Sequence, residues 1–305
     1  MKVGIIMGGP SSEREISLNT GNEILKNLDR SKYTPVPVVF DRLDELVEKT
    51  KDIDMGFIAL HGRYGEDGTV QGLLECLGVP YTGCGVLSSA ICMNKDVSKR
   101  LFRQAGLNTA DWILVERGGK FDSRALEELG LPLVVKPASE GSSFGVTIAR
   151  SLNEVNNAVS RAMKYDREVI LERYIEGDEI TCSILNGKML PVLAIKPKSA
   201  FFDYASKYAD GGADEYAVEL DPAIHGRVEG LALGAYHVMK CSVYARIDMI
   251  LREGIPFILE ANTLPGMTKN SLLPKSAAAA GISFSRLLDI IIESSLQEHG
   301  SKAHM

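Results

Sequence analysis

The chain has 305 residues, of which 45% are apolar and 24% charged, and its formal net charge is −6. This length suits two or three domains better than one. The composition is that of an average soluble globular protein, and the negative net charge offers no basic surface to nucleic acid. No apolar run approaches the roughly 20 residues that cross a bilayer, so we expect neither a nucleic-acid nor a membrane partner.

Cysteine usage and the two ends of the chain indicate its cellular setting. The five cysteines are scattered and form no CxxC pair, which indicates reduced core residues of a cytoplasmic protein. One lysine and a very short apolar run open the chain, a pattern that predicts a first β-strand and not a signal peptide. The polar tail, residues 297–305, is expected to be frayed.

The N-terminal third is typical of a doubly wound α/β domain. A strand at Lys2–Met7, a tight loop and a helix at Glu13–Leu28 follow one another, but the GxGxxG dinucleotide fingerprint is absent. Ligands of such sheets bind beyond the carboxyl ends of the strands, where Glu13 and His61 both fall. Each residue also has an ordinary explanation: Glu13 would compensate the helix dipole, and His61 would be a structural histidine of a Gly-rich loop.

The middle third contains a loop rich in glycine and serine between two predicted strands. Lys136 ends the first strand and can reach a phosphate as a point charge. The small residues of the loop, up to Gly145, let backbone N–H groups approach an anion closely. This is not a Walker A loop, because the lysine precedes the glycines. It predicts a strand-loop-strand lid over a triphosphate, with a simple Gly/Ser hairpin as the alternative.

An extended segment with flanking acids follows the lid. Glu172 and Glu179 could hold an adenine edge and ribose hydroxyls, or they could be solvated hinge charges. The loop Lys198–Asp214 is long for a connection within a compact domain, which suggests a functional lid. Further predicted elements are a strand at Met189–Lys196 and helices at Ile224–Met239, Ser276–Ala280 and Phe284–Leu296.

The last third also contains a predicted β-hairpin, in which two short apolar runs flank a turn at Gly254. The first run carries Asp248, and the second ends in Glu260 and Asn262, whose side chains share one face of the strand. Two charged ligands and one neutral oxygen ligand, without sulfur or imidazole, suit a hard cation such as magnesium. Arg246 would add a fixed positive charge on the same face. The alternative is a hairpin with ordinary surface acids.

Eight segments, in the same order along the chain, resemble those of the D-alanine–D-alanine ligase family within the ATP-grasp superfamily. They are Gly8–Ser17, His61–Gly68, Pro80–Gly83, Met93–Lys95, Val135–Gly145, Asp203–Tyr208, Arg246–Asp248 and Leu259–Thr268. Each segment alone is a weak signal, but all eight in this order are highly specific. They cover the chain from the first strand to the last domain.

The resemblance implies an α/β, ATP-grasp fold of three α/β domains, with ATP in the cleft between the central and C-terminal domains. The implied domains are an N-terminal doubly wound domain on the substrate side at 1–93, a central domain with the Gly/Ser lid loop at 94–178, and a C-terminal domain with the metal and lid residues at 179–305. The implied reaction is ATP-dependent ligation of two D-alanines through an acyl phosphate, with release of ADP and phosphate, for peptidoglycan synthesis. A homodimer is also implied.

The same resemblance implies ligands for the nucleotide and its metal. Two magnesium or manganese ions would be held by Asp248, Glu260 and Asn262. Phosphate oxygens would be contacted by Lys95, Lys136 and Lys207. Adenine and ribose would be held by Glu172 and Glu179, with the backbone of Arg173 and Ile175 beside the base.

For the amino acids, the resemblance implies that Glu13 binds the ammonium of the first D-alanine, with His61 nearby. Ser142 and Tyr208 would link to Glu13 in a hydrogen-bonded chain that closes the site. The remaining implied residues serve the acyl transfer and the second D-alanine. An oxyanion hole would be formed by Arg246 and the Gly266 N–H, and the second carboxylate would be received by Ser271 and the Leu272 backbone.

Three alternatives remain at this stage. The nearest is another ATP-grasp ligase that acts on D-lactate or on other amino acids, although the intact Lys207–Tyr208 pair favours a dipeptide product. A catalytically silent nucleotide-binding relative would be expected to have lost the ligands, all of which are present. A kinase is the weakest reading, because no residue is placed as a base for an acceptor hydroxyl.

Overall fold

The fold was analysed in a computed structural model that describes residues 1–119, 122–141, 144–197 and 212–302. In these ranges the chain forms thirteen strands and ten helices, and the strands fall into three sheets. The α/β class expected from the sequence is confirmed. Strands and helices alternate in the first third of the chain, whereas antiparallel strands dominate the rest.

The N-terminal sheet is parallel, with strand order β2-β1-β3. Its elements and the helices that follow are β1 (Lys2–Gly8), α1 (Arg14–Asn27), β2 (Thr34–Phe40), α2 (Glu45–Lys49), β3 (Met55–Ile58), α3 (Thr69–Cys76) and α4 (Val86–Met93). Ser17 on α1 accepts a hydrogen bond from the Gly8 N–H at 2.9 Å and donates to the Ala59 carbonyl at 2.8 Å. These bonds join α1 to the carboxyl ends of β1 and β3, the expected ligand edge.

The central sheet is antiparallel, with strand order β4-β7-β5-β6. Its elements are α5 (Lys95–Gln104), β4 (Trp112–Glu116), α6 (Ser123–Leu129), β5 (Leu133–Pro137), β6 (Thr147–Ala149), α7 (Leu152–Ala162) and β7 (Glu168–Arg173). Asn94 caps α5, because its side chain accepts from the Val97 N–H at 3.0 Å. The Gly/Ser loop joins β5 to β6, as predicted for a strand-loop-strand lid.

The C-terminal sheet is also antiparallel, with order β11-β10-β8-β12-β13 and β9 paired to β8. Its elements are β8 (Asp178–Leu185), β9 (Lys188–Met189), β10 (Leu193–Pro197), β11 (Ala213–Ala217), α8 (Pro222–Val238), β12 (Tyr244–Arg252), β13 (Ile255–Asn262), α9 (Leu272–Ala279) and α10 (Phe284–Lys302). The hairpin predicted around Gly254 is confirmed. Its two turn residues, Glu253 and Gly254, have φ of 51° and 75°, as a two-residue hairpin turn requires.

Three boundaries differ from the sequence predictions. The strand predicted at Met189–Lys196 is divided into β9 and β10, because Pro191 between them has no N–H for a ladder. Helix α9 begins at Leu272 and not at Ser276, since a proline in the first turn, here Pro274, costs no intrahelical hydrogen bond. Helix α10 continues to Lys302, so the part of the tail before residue 303 is not frayed.

Tertiary packing explains the longer last helix. The ring of His299 lies in edge contact with the ring of Tyr81, 4.6 Å between centroids, and its Nε2 is 3.2 Å from the Tyr81 nitrogen. The Gly83 N–H donates to the Ser295 hydroxyl at 3.1 Å. The end of the chain is therefore held against the N-terminal third.

The buried apolar residues form three clusters. The first joins the N-terminal sheet to the last two helices, with Leu287 and Ile291 of α10 fully buried. The second lies between the C-terminal sheet and α8, and the third between the central sheet and α7. Each proposed domain (1–93, 94–178, 179–305) contains one sheet. The one exception is Asp178, which falls in the second proposed domain but is the first residue of β8 in the C-terminal sheet. These domain bounds remain a proposal.

All five cysteines are free thiols, and all but Cys76 are buried, in line with the expectation of reduced core residues. Among the helices of the described ranges, none combines the length and the apolar character that crossing a bilayer would need.

The packing of α10 on the N-terminal sheet gives a stability prediction. Ile291→Ala should lower the free energy of unfolding by about 3 kcal/mol, because it leaves a cavity at a fully buried position. Ile255→Ala is the matched control, since that side chain is 43% exposed and should cost less than about 1 kcal/mol. Urea unfolding measures both values. Equal losses would contradict the tight packing of α10.

Candidate active site

A cleft of about 510 Å³ lies between the central and the C-terminal sheets. Its size is within the range of small-molecule sites. Of the residues that the sequence assigns to nucleotide or metal, those that line it are Lys95, Lys136, Glu172, Arg173, Ile175, Glu179, Asp248 and Glu260. Its apolar walls include Val134, Phe144, Ile148, Ile195, Ile250 and Leu259. The cleft thus combines flat apolar surfaces with cations and carboxylates.

The hairpin of β12 and β13 brings four polar residues together, and two of them, Asp248 and Glu260, line this cleft. Asp248 is paired with Glu260, and Arg246 with Asn262, in the antiparallel register. Arg246 binds both Asp248 oxygens, with Nε and Nη2 each at 2.8 Å, and the Asn262 amide donates to Asp248 Oδ2 at 3.0 Å. The predicted shared face is therefore confirmed.

Asp248 has a further partner that the sequence gave no reason to choose. Thr181 on β8 is the residue paired with Asp248, and its hydroxyl donates to Asp248 Oδ1 at 2.6 Å. Both residues are buried. The carboxylate is thus oriented by donors from β8, β12 and β13. A threonine in a strand is unremarkable until the strand register is known.

The donor set of the hairpin fits a hard cation. Asp248, Glu260 and Asn262 offer carboxylate and amide oxygens, which magnesium and manganese accept. In the described ranges, no group of three or more His, Cys, Asp or Glu side chains is placed to hold a metal. Any ion here would therefore need Asn262 and ligand oxygens, such as those of phosphate, to complete its shell.

Lys95 and Lys136 reach the cleft from different elements. Lys95, the first residue of α5, donates through Nζ to the Glu140 carbonyl at 2.7 Å, and the same Nζ is 3.5 Å from Glu260 Oε2. Lys95 therefore lies between the Gly/Ser loop and β13. Lys136, on β5, forms an ion pair with Glu172 on the neighbouring strand β7. Both lysines are buried for most of their surface.

Glu172 is the centre of a buried charge network that the sequence analysis did not anticipate. Its second oxygen, Oε1, lies 3.3 Å from Nζ of Lys99, which is fully buried. Burial alone would raise the pKa of Glu172, but the charges of Lys136 and Lys99 outweigh it and lower that pKa. Burial also lowers the pKa of Lys99, to about 8. The Glu172 carboxylate, expected to face adenine, already binds two lysines.

One signal could have pointed to Lys99. It follows Lys95 by four residues, the spacing at which two side chains share a helix face, and both residues lie in α5. Its burial, however, depends on tertiary packing against Thr109 and Trp112, which lie outside α5.

Glu13 and His61 come together at the carboxyl ends of β1 and β3. Ser11 joins the two loops, since its hydroxyl donates to the His61 carbonyl at 2.8 Å and accepts from the Glu13 N–H at 2.9 Å. His61 Nε2 lies 3.0 Å from the Thr20 hydroxyl. A Cβ at Gly62 would lie 2.5 Å from Glu13 Oε2, and Gly62 has φ of +69°, so a larger residue there would strain the backbone and displace this carboxylate.

The Gly/Ser loop approaches the same place. A Cβ at Gly141 would lie 3.7 Å from Glu13 Oε2, within ordinary contact distance. Gly141 of the Gly/Ser loop thus lies next to Glu13. The predicted closing residues Ser142 and Tyr208 lie outside the described residues, as does Lys207, the third predicted phosphate contact.

Gly266, Ser271 and Leu272 lie at the start of α9. A Cβ at Gly266 would lie only 2.8 Å from the Ser271 hydroxyl oxygen, which accepts from the Thr268 N–H at 3.1 Å. Ser271 is the N-cap of α9 and Leu272 its first residue. Backbone N–H groups at such a position have no partner within the helix and suit a carboxylate.

Two sequence models of known protein families match the chain. One, described as D-ala D-ala ligase C-terminus, covers residues 101–293, and the other, D-ala D-ala ligase N-terminus, covers residues 2–47 and 42–84. Together they span most of the chain in the expected order.

Individual relatives agree with these matches. The chain is 55% identical to a D-alanine–D-alanine ligase of Clostridium beijerinckii, over 97% of this chain and 99% of the relative. It superposes with a TM-score of 0.92 on the crystal structure of a Bacillus anthracis D-alanine–D-alanine ligase complexed with ATP, with 48% identity and 99% of both chains covered. A VanG D-Ala:D-Ser ligase of Enterococcus faecalis gives 0.84, at 30% identity, over 96% of this chain and 99% of that one.

The fold and the cleft between two antiparallel sheets therefore define an ATP-grasp protein, and the predicted fold class is confirmed. At this identity and coverage, the chain belongs to the D-alanine–D-alanine ligase family. The resemblance inferred from the eight segments is confirmed as well.

The buried charge of Lys99 gives a pH prediction for stability. The pKa of Lys99 is about 8 in the folded protein and about 10.4 when unfolded. Between these values the unfolded chain binds one more proton than the folded one, so the Lys99 contribution to stability rises with pH. Below pH 8 this contribution is constant, because Lys99 is protonated in both states.

The quantity to follow is the difference in the free energy of unfolding between the wild type and Lys99→Met. We expect this difference to be constant from pH 6 to 8 and to rise above pH 8, by about 1.4 kcal/mol per pH unit at most. Urea unfolding at a series of pH values measures it. Lys26→Met, at a lysine whose side chain is 69% exposed, controls for the loss of one charge and should give a flat difference. A flat difference for Lys99→Met as well would contradict the prediction.

Proposed function

We propose that this chain ligates two D-alanines to D-alanyl-D-alanine at the expense of ATP, through an acyl phosphate, with release of ADP and phosphate, for peptidoglycan synthesis. The single observation that carries the proposal is the cleft: it holds Lys95, Lys136, Asp248 and Glu260 together, in a chain 55% identical to a D-alanine–D-alanine ligase. Two cations and two acids facing one space suit a nucleotide triphosphate with its metal.

ATP would lie between the two sheets. Its adenine would contact the apolar walls, with the backbone of Arg173 and Ile175 and the side chain of Glu172 at its edge, and its ribose would lie near Glu179. The phosphates would be contacted by Lys95 and Lys136, and by Lys207 from outside the described residues. The relative from Bacillus anthracis is described as complexed with ATP, which supports ATP as the nucleotide.

Two magnesium or manganese ions would be held by Asp248, Glu260 and Asn262. The oxygen-only donor set supports this assignment. When bound, such ions neutralise phosphate charge. Arg246 adds a fixed positive charge, because both its guanidinium contacts to Asp248 are 2.8 Å.

The amino-acid sites follow from charge complementarity. The Glu13 carboxylate would bind the ammonium of the first D-alanine, with His61 beside it, and its buried position would strengthen the pairing. Ser142 and Tyr208 would extend a hydrogen-bonded chain from Glu13 that closes the site.

The first D-alanine's carboxylate would attack the γ-phosphate, and the second D-alanine's amino group would then attack the resulting acyl phosphate. Arg246 and the Gly266 N–H would stabilise the oxyanion of the second step. The carboxylate of the second D-alanine would bind at the start of α9, through Ser271 and the Leu272 N–H. Catalysis here is chiefly positioning and charge neutralisation.

The second substrate, which accepts the acyl group, has a specific alternative to D-alanine. The Enterococcus faecalis relative is described as a D-Ala:D-Ser ligase, so the shared fold does not fix the second substrate. Tyr208 favours a dipeptide over a D-lactate product, and the higher identity to D-alanine–D-alanine ligases favours D-alanine. We also propose that the protein acts in the cytoplasm as a homodimer.

Product formation tests the proposal directly. We expect phosphate release from ATP with magnesium only when D-alanine is present, and D-alanyl-D-alanine in the mass spectrum. L-alanine and D-lactate alone should give no release, and a metal chelator should abolish it. D-alanine paired with D-lactate or D-serine tests the acceptor. A mixed product formed in preference to the dipeptide would contradict the assignment, and ATP binding without turnover would indicate a silent relative.

Glu13→Gln tests the ammonium site. The substitution removes the charge but keeps the size, so KM for D-alanine should rise about 10- to 100-fold, the value of one charged hydrogen bond, while KM for ATP should change little. Glu15→Gln is the matched control, because Glu15 is on the same helix and its side chain is 84% exposed. Equal changes in both KM values would count against Glu13 as the ammonium partner.

A further inference from the structure

We propose that Lys99 is a positioning residue of the nucleotide site: it shares the Glu172 carboxylate with Lys136 and so keeps the Lys136 ammonium available to ATP phosphates. This inference rests on the proposed use of the cleft for ATP. Lys99 itself does not line the cleft, and its side chain is 1% exposed. It would therefore act only through the groups that it contacts.

The first support is the division of one carboxylate between two lysines. Glu172 Oε1 faces Lys99 at 3.3 Å, and Oε2 is in ion-pair contact with Lys136. Lys99 approaches from behind the cleft, and Lys136 lies on its lining. The three groups together carry one net positive charge, which Lys136 presents to the cleft.

Removing Lys99 would change this balance. Glu172 and Lys136 alone would form a neutral pair, and both carboxylate oxygens would compete for the one remaining ammonium. A buried carboxylate that loses one of two partners holds the other more strongly, because few water molecules can replace the lost contact. Lys136 would then be drawn towards Glu172 and away from a phosphate.

The second support is the way in which Lys99 is itself held. Its Nζ donates to the Thr109 hydroxyl at 2.6 Å and lies 5.2 Å from the centre of the Trp112 ring. Thr109 in turn donates to the Ile258 carbonyl at 2.9 Å, on β13 two residues before Glu260. Trp112 is the residue of β4 paired with Glu172 on β7. Lys99 is therefore fixed between strands from both walls of the cleft.

The test measures ATP binding directly, by calorimetry with magnesium and without D-alanine, and then the KM values of both substrates. Lys99→Met should raise the Kd and the KM of ATP about 10-fold or more, as expected for the loss of a buried charge partner, and change the KM of D-alanine less than about twofold. Circular dichroism establishes that the variant is folded. Should Lys99→Met not fold, Lys99→Gln takes its place in the same measurement.

Two further variants separate charge from architecture. Lys99→Gln keeps a donor for Thr109 without the charge, so it should weaken ATP binding as much as Lys99→Met does. Adding Glu172→Gln to Lys99→Met removes the acid that captures Lys136. The loss in ATP affinity of the double variant should therefore be smaller than the sum of the losses of Lys99→Met and Glu172→Gln alone. The charge-sharing role would be overturned if Lys99→Gln bound ATP as tightly as the wild type, or if the losses in ATP affinity were strictly additive.

Arg103→Met is the matched control. Its guanidinium carbon also lies over the Trp112 ring, at 4.4 Å, but the side chain is 53% exposed and pairs with Asp111 instead of Glu172. Its ATP affinity should match the wild type. The inference is overturned if folded Lys99→Met binds ATP as the wild type does, or if the KM of ATP and of D-alanine rise by the same factor. A wild type that binds no ATP would instead contradict the proposed function.

Discussion

The antiparallel pairing of β12 with β8 on one side and β13 on the other is the constraint on which the site depends. This register places Asp248 between Thr181 and Glu260, so that one carboxylate receives donors from neighbouring strands. A shift of one residue would turn Asp248 and Arg246 together to the opposite face of the sheet and separate Asp248 from Thr181 and Asn262. The hydroxyl, amide and guanidinium around it hold its orientation before any ligand arrives, which is the condition for electrostatic stabilisation without reorganisation.

A second carboxylate plays the corresponding part on the central sheet. Glu172 lies on the strand beside Lys136, and its two oxygens bind ammonium groups from β5 and α5. The two acids differ in what they organise. Asp248 organises the polar side chains where metal and phosphate are proposed to lie. Glu172 controls how much positive charge Lys136 presents to the cleft. The charges of the cleft are thus set from two sheets, and Gly141 of the Gly/Ser loop also lines it.

The sequence was informative wherever a short-range rule governs the outcome. The period of two along a strand correctly predicted that Glu260 and Asn262 share a face, and the Gly254 turn marked the hairpin. It was uninformative where distant packing decides. The four-residue spacing from Lys95 places Lys99 on a shared helix face but does not show that Lys99 is buried, and Thr181 is an ordinary strand residue until β8 pairs with β12. The polar tail was misjudged for the same reason, because contacts with Tyr81 stabilise the end of α10.

The packing of α10 also has a consequence for biosynthesis. The core of the N-terminal sheet includes Leu287, Leu288, Ile291 and Ile292, which are synthesised long after the three strands that they cover. Domains usually fold as units from the N-terminus while the chain is being made. Here the first sheet would emerge with part of its apolar surface uncovered, and that surface would be covered only once α10 has been made. The nascent chain would therefore expose a hydrophobic face until α10 emerges, a state in which chaperone binding and aggregation compete.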